Sequence, residues 1–370
     1  MLQVRHVPGE AHHDRPGSNA ANRTVDQKPP PPPIAPLAAT DARPPTDTVM
    51  RVIFMGTAEL SCASLQALVT TPALEVVAVV TQPDRPKGRD LKLQPSPVKE
   101  LALRLGLPVL QPERARSPEF LVQLRELRPD LIVVVAYGQI LPESLLALPP
   151  YGCLNVHTSL LPRHRGASPI QTAILNDDAE TGVTIMKMDA GLDTGEIVNQ
   201  EATPILATDD SETLHDRLAQ IGADLLIRTL PDFVAGRIQP HVQPSQGASY
   251  AAKIRKQDGQ IDWNRSAREN WNRVRALTPW PGAFTFFAGQ TQPHLLKIWQ
   301  AQEEGMSGFP GELLVADKSG LVVGCGQGSL RILQLQREGG RRLPYQEFLA
   351  GQKLKRGDRF VSSFNATVHP

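Results

Sequence analysis

From Met50 to Gly138 the chain alternates short runs of Val, Ile and Leu with amphipathic stretches, and that rhythm leaves few folds open. "RVIFM" is followed by "AELSCASLQALV", then come "EVVAVVT", "SPVKELALRLG", "LPVL", "PEFLVQLREL" and "DLIVVVAYG". Strands that are apolar at every position are buried on both faces, which requires helices on both sides of a parallel sheet. The expected fold is α/β, a doubly wound and mostly parallel sheet. Its first turn, "MGTAEL", carries a single glycine and lacks the G-x-G-x-x-G spacing that lets a backbone approach a pyrophosphate, so no dinucleotide cofactor is expected.

The first 49 residues do not share this rhythm. They hold the run Pro29 to Pro33, further prolines and no periodic apolar pattern, the composition of a segment that cannot bury enough surface to offset chain entropy. Residues 1–49 are therefore expected to be a disordered Pro-rich extension, with the compact part starting at Met50. The remaining length suffices for two domains, each with its own core. No stretch of eighteen apolar residues occurs and the N-terminus lacks an apolar signal core, so no membrane contact and a cytoplasmic protein are expected. Cys62, Cys153 and Cys325 are far apart and form no C-x-x-C, which reads as small apolar filling.

In a parallel α/β sheet, ligands sit outside the carboxyl ends of the strands. "GCLNVHTSLLPRHRG", residues 152–166, is the stretch richest in chemistry there. Alternation along "CLNVH" places Asn155 and His157 on one face near a strand end, and "GVTIMKMDAGLDTGEIV" runs from another strand into a Gly-rich turn bearing Asp189 and Asp193. Singly, each residue has a plainer reading: Asn155 satisfying backbone groups, His157 as a hydrogen-bonded core histidine, Asp193 fixing its own turn. The pair of aspartates lacks a twelve-residue calcium loop and the chain has no H-E-x-x-H, so no metal is expected. Ser159 lacks the G-x-S-x-G elbow of a nucleophile.

Charge is uneven. The whole chain is only +1, yet residues 251–360 hold 17 Lys and Arg against 10 Asp and Glu, the footprint expected for phosphate contact. The same region reads as short strands separated by Gly-containing turns ("GAFTFFAGQ", "HLLKIWQAQ", "GELLVAD", "GLVVGCGQGSLRILQLQ"), which predicts a small β-barrel. A helix over "ETLHDRLAQIGADLLIRTLPDFVAG" closes the first domain. The expected division is 50–236 for a catalytic domain, 237–252 for a linker and 253–370 for the barrel domain. A second basic feature, "PDRPKGRDLK", interleaves Arg85, Lys87, Arg89 and Lys92 with Pro and Gly as an exposed loop; a solvated loop of incidental charge has the same composition.

"VIFMGT", "TQPDRPKGR", "LQPSPVK", "VVVAYGQILP", "GCLNVHTSLLPRHRGASPIQ", "ETGVTIMKMDAGLDTGEI", "KIRKQDGQIDW" and "PWPGAF" together resemble the methionyl-tRNA formyltransferase family, in order from Met50 to about Phe360. The N-V-H-x-S-L-L-P core is common to formyltetrahydrofolate-using enzymes; the basic loop and C-terminal blocks narrow the acceptor. The resemblance implies a catalytic set of Asn155, His157 and Asp193, and folate contact by Ser159, Leu160, Leu161 and Pro162. It implies formyl transfer from 10-formyltetrahydrofolate to the amino group of initiator methionyl-tRNA, with no metal required; a monomer is expected. It also implies tRNA contact by Arg85, Lys87, Arg89 and Lys92 and by an oligonucleotide-binding-type (OB-like) C-terminal barrel. Ala58 and Leu60 stand where the family usually has Pro and Phe, and His164 where an aromatic such as Trp or Tyr is common. Two alternatives stay open: another folate enzyme that hydrolyses the donor or formylates a different amine, and a nonenzymatic RNA-binding protein.

Deleting residues 1–49 is expected to leave folding and formyl transfer intact, since the core pattern starts at Met50. Thermal melting and turnover of the shortened chain check this; a drop of several degrees would mean that the segment packs on the domain.

Overall fold

The computed structural model describes residues 49–87, 92–288, 293–352 and 354–362. Except for Val49, the expected extension lies outside them, as does Arg89. The described residues form one compact unit in which two sheets dominate.

The first sheet has seven strands. From one edge they run Glu196–Pro204, Glu180–Lys187, Cys153–His157, Leu131–Val135, Met50–Gly56, Leu74–Val80 and Val109–Leu110. The five from Cys153–His157 to Val109–Leu110 pair in parallel, whereas Glu180–Lys187 pairs antiparallel with both of its neighbours. The doubly wound, mostly parallel expectation holds, with a mixed edge. Alternate residues feed two cores. Val52, Phe54, Leu131, Val133, Leu154 and Val156 join one cluster, and Ile53, Met55, Ile132, Val134 and Cys153 join the other.

The helices begin where the sequence supplies caps. Pro97–Arg104 follows Ser96, whose hydroxyl accepts from the backbone of Lys99 at 3.0 Å, and Pro118–Glu126 follows Ser117, which accepts from Phe120 at 3.3 Å. In each, a serine cap is followed by proline at the first helical position, where its missing N–H costs nothing. Ser61–Thr70, Pro97–Arg104, Pro169–Leu175 and the long Ser211–Val234 all contribute to the first core; Pro118–Glu126 and the short Glu143–Leu146 contribute to the second. Gly222 is the close contact of the long helix with the sheet: a Cβ there would lie 2.8 Å from Val156 Cγ1. A glycine in mid-helix costs about 1 kcal/mol against alanine, and here it allows that approach.

The second sheet is antiparallel and holds seven strands, ordered Leu313–Asp317, Gly320–Gly324, Ser329–Arg337, Pro293–Glu304, Ala283–Ala288 and Phe360–Val361, with Arg342–Pro344 paired to Ser329–Arg337. Its last strand returns toward the first. Phe360 N donates to Gly311 O at 2.8 Å and Leu313 N to Asp358 O at 2.8 Å, so the sheet curls on itself around Trp263, Ile298, Leu321, Ile332 and Phe360. The expected small barrel is this element.

One helix in this region carries no expectation from periodicity. Ala267–Ala276 has a capping box: Ser266 accepts from Glu269 N, and the Glu269 carboxylate accepts from Ser266 N. The S-x-x-E signal was in the sequence. Trp271 and Val274 enter the barrel core while Ala276 and the following Leu277 enter the first core, so this helix joins the two sheets. Arg268 bonds the Asp177 carboxylate through Nε (2.9 and 3.0 Å) and Nη2 (2.8 Å), and Asn272 adds a bond of 3.0 Å. Arg275 stacks on Trp271 at 3.9 Å and donates to the carbonyls of Leu206 and Asp209, both at 3.0 Å.

The guanidinium of Arg268 holds the Asp177 carboxyl below the usual carboxylate range, against the opposing effect of burial. A lowered folded-state pKa contributes stability that is present above the unfolded value of roughly 3.9 and lost as pH falls through the folded one. Both partners are half exposed, so the contribution is about 1 kcal/mol or less. Asp177→Asn is expected to lower the melting temperature by about 1–3 °C at pH 7. Melting curves of both proteins should converge near the acid limit; a constant offset would assign the effect to packing.

Candidate active site

The strand Cys153–His157 is buried on its Leu154 and Val156 side beneath Ser211–Val234. Its other side is polar, and Asn155 and His157 point the same way because strand residues alternate. They stand opposite Met186 and Thr184 of the neighbouring strand. Both side chains are largely buried, at 9 % and 6 % exposed.

Asp193 reaches them by a route that the strand order makes necessary. Because Glu180–Lys187 runs antiparallel, it ends beside Leu154, and Met188 N donates to Cys153 O at 2.8 Å. The turn therefore leaves the sheet at the amino end of Cys153–His157, opposite to the end from which a parallel strand would present it, and doubles back over the polar face. Asp193 lies 3.5 Å from Asn155 Nδ2 through Oδ1 and 3.7 Å from His157 Nδ1 through Oδ2. Oδ2 also accepts from Gly166 N at 2.8 Å. The Asp193 backbone is left-handed, with φ 53°, a conformation that aspartate tolerates better than most residues. Asp189 has a different fate: its carboxylate accepts from Gly191 N at 3.0 Å and from Thr194 Oγ1 at 2.8 and 2.9 Å, stapling the turn.

His157 is oriented by its other nitrogen. Nε2 donates to His164 O at 3.0 Å, since a carbonyl can only accept, so Nε2 carries a proton and Nδ1 faces Asp193. His164 is itself held, with Nε2 2.6 Å from Asp178 Oδ2 and its backbone N donating to Ser249 Oγ at 2.9 Å. The histidine that departs from the family pattern is thus a buried anchor for the carbonyl that sets the His157 tautomer.

The turn 159–162 is built from the neighbouring strands. Thr184 Oγ1 donates to Ser159 O at 2.6 Å and accepts from Leu161 N at 3.1 Å, and Gln200 Nε2 donates to Leu161 O at 3.0 Å. Ser159 is fully buried, its hydroxyl donating to Arg163 O at 2.6 Å, and Leu161 packs on Met186 and Ile197. Leu160 and Pro162 are half-buried. No sequence motif singled out Thr184 and Gln200, which hold this turn, nor Gly166 N, which holds Asp193. The expected linker also takes part: Tyr250–Ala251 pairs with Arg165–Gly166, and a Cβ on Gly166 would lie 2.6 Å from Ala251 O.

At the carboxyl ends of the central strands, Thr57 Oγ1 and Gln82 Nε2 donate to Tyr137 O at 2.9 and 3.0 Å. Among the described residues the Tyr137 phenol has no hydrogen-bond partner, and its burial pushes its pKa up to about 12. The basic segment forms a two-stranded ribbon, Arg85–Lys87 against Lys92–Gln94, outside both large sheets. Arg85 is exposed, while the side chains of Lys87 and Lys92 are not among those described. Asp84 anchors its base through Lys99 (2.7 Å) and Gln111 (2.8 Å). Among the described residues no group of His, Cys, Asp and Glu has the arrangement of a metal site, and no helix is long and apolar enough to cross a membrane.

Chemically, the cluster offers an amide donor, an imidazole nitrogen and a carboxylate around one point. The Asn155 amide makes only one long bond in the described structure, so an N–H remains for a ligand. That set suits transfer of an acyl-type group, where an oxyanion must be stabilised and a proton moved.

Two family models match the chain: "Formyl transferase" over residues 50–230 and "Formyl transferase, C-terminal domain" over 253–353. The methionyl-tRNA formyltransferase of Citrifermentans bemidjiense is 51% identical over 310 residues, which cover 84% of this chain and 96% of that protein. Among solved structures, an N-formyltransferase from Helicobacter canadensis in complex with folinic acid and dTDP-3-aminofucose matches with a TM-score of 0.56 and 17% identity, over 80% of this chain and all of that one. HypX from Aquifex aeolicus in complex with tetrahydrofolic acid matches at 0.54 and 18%, over 82% of this chain, which spans about half of HypX (47%). At such identities the two structures speak for the fold alone. By the family models and the sequence identity, the chain belongs to the methionyl-tRNA formyltransferase family.

Proposed function

We propose that this chain moves the formyl group of 10-formyltetrahydrofolate onto the amino group of initiator methionyl-tRNA, acting as a monomer in the cytoplasm. The observation that carries the reading is the convergence of Asn155, His157 and Asp193 within 3.5–3.7 Å on the polar face of one strand. The half-satisfied Asn155 amide fits a formyl oxygen, and the partly exposed Leu160 and Pro162 fit the flat body of a folate beside it.

In the reaction a bond forms between the amino nitrogen and the formyl carbon, the bond from that carbon to the donor nitrogen breaks, and one proton passes from the first nitrogen to the second. Asn155 donates its amide N–H to the formyl oxygen as negative charge builds there, an interaction worth on the order of 100-fold in rate. His157, with Nε2 committed to His164 O, uses Nδ1 to take the proton from the attacking amine and return it to the leaving nitrogen. Asp193 faces that nitrogen and stabilises the imidazolium in between. The nucleophile belongs to the substrate, so no protein nucleophile is required.

Incubated with the donor and methionyl-tRNA, the protein should add one formyl mass to the aminoacyl group; formate release without that gain would identify a hydrolase instead. Asn155→Ala and His157→Ala are expected to lower kcat by about 100-fold or more while donor binding changes little, because both act on charge that develops during reaction. Donor titration and steady-state rates check this, and equal losses in binding and turnover would make the two residues ground-state contacts.

The basic ribbon is assigned to the tRNA backbone, together with the positive C-terminal barrel. Replacing Arg85, Lys87 and Arg89 by alanine should raise KM for methionyl-tRNA and flatten its dependence on salt, since fewer counterions are released per complex. Donor affinity should hold. An unchanged KM and salt slope would leave tRNA contact to the barrel.

A further inference from the structure

The segment 237–252 brings one buried side chain to the loop of Asp193 that no motif in the sequence marks. Gln243 is 7 % exposed and spends both ends of its amide. Nε2 donates to the carbonyls of Asp193 at 2.8 Å and Gly195 at 2.7 Å, and Oε1 accepts from Nε and Nη2 of Arg165 at 3.0 and 2.7 Å. The orientation is dictated by the partners, because two carbonyls can only accept and a guanidinium can only donate. An amide has two N–H groups and two lone pairs, so Gln243 is saturated.

These bonds close a ring. Arg165 precedes Gly166, and Gly166 N donates to Asp193 Oδ2. Gln243 therefore grips the Asp193 loop by its backbone and the 159–166 turn by Arg165, while Gly166 grips the carboxylate that lies between them. The backbone of Gln243 is fixed in turn: its near neighbour His241 exchanges two hydrogen bonds with Ile197, at 2.8 and 3.0 Å. Asp193 sits at φ 53°, and a non-glycine residue stays in that region when its surroundings over-determine it. The bond from Gln243 to the carbonyl of Asp193 itself is one such constraint. With 3.7 Å between Asp193 Oδ2 and His157 Nδ1, the carboxylate has little room to drift before it ceases to face the ring.

We propose that Gln243 is a positioning residue for the transfer reaction. Its amide is saturated by Asp193 O, Gly195 O and Arg165, and it acts by fixing the Asp193 loop against the 159–166 turn. The inference rests on the role given to Asp193 under Proposed function.

Gln243→Glu keeps the shape and the acceptor for Arg165 but cannot donate to both carbonyls; Gln243→Ala removes the whole clamp. Each should lower kcat by about 10- to 100-fold, the scale of a displacement near 1 Å in a catalytic group. KM for the donor and for methionyl-tRNA should stay within about threefold, because the buried Gln243 amide has no donor or acceptor left over from its protein partners. The deciding measurement is the double-mutant cycle with Asp193→Asn, followed under single-turnover conditions. If Gln243 acts through Asp193, changing it in the Asp193→Asn background should cost less than about twofold more. Unchanged kcat in either folded variant overturns the proposal, and so does a loss that persists at full size in the Asp193→Asn background. Failure of both variants to fold also overturns it, by making Gln243 a purely structural residue. A wild-type protein without formyl transfer to methionyl-tRNA would instead remove the functional reading beneath it.

Discussion

The strand Cys153–His157 is the constraint on which the site depends. It must bury Leu154 and Val156 against a helix close enough to require glycine at 222, and that fixes its register and hence the direction of Asn155 and His157. A slip of one residue would exchange the two faces, placing polar side chains in the core. Helix coverage is unequal on the two sides of the sheet. Among the described residues five helices, Ala267–Ala276 included through Ala276, line the Leu154 side, while on the other Pro118–Glu126 and Glu143–Leu146 line the second core and the latter meets this strand at Cys153, 3.9 Å from the carbonyls of Leu145 and Leu146. Loops, which bring the Asp193 carboxylate and the His164 carbonyl, cover Asn155 and His157 instead.

Those loops are held by hydrogen bonds more than by apolar burial. Thr184 and Gln200 build the 159–162 turn, Asp189 staples the next one, and Gly166 meets the Asp193 carboxylate. Bonds of this kind are individually worth about 1 kcal/mol, but they are directional and so fix positions to a fraction of an ångström. The contrast with the two apolar cores is functional: burial makes the scaffold stable, and polar contacts aim the side chains.

The helix Ala267–Ala276 gives the second sheet a fixed place beside the first. Its residues enter both cores, and Arg268, Asn272 and Arg275 tie it to Asp177, Leu206 and Asp209. Asp177 adjoins Asp178, which holds the His164 ring, so the junction between the two sheets lies one residue from the support of His157. An acceptor bound across both parts would meet a surface whose halves do not move freely.

Much of this was legible in the sequence. Continuous Val, Ile and Leu runs announced a buried parallel sheet, amphipathic stretches between them announced its helices, and alternation put Asn155 and His157 on one face. These are local properties, set by the periods of strand and helix. What tertiary structure alone decided is how distant segments meet. The resemblance singled out Asp193, but spacing and composition in "DAGLDTG" do not separate it from the stapling Asp189, because the difference arises from an antiparallel strand that sends the turn back over its neighbour. "HVQPSQGAS" reads as a connector, yet Gln243 and Ser249 are bonded to the site 48 to 85 residues away in sequence. Local periodicity carries no record of such contacts, since each exists only once the whole sheet has formed.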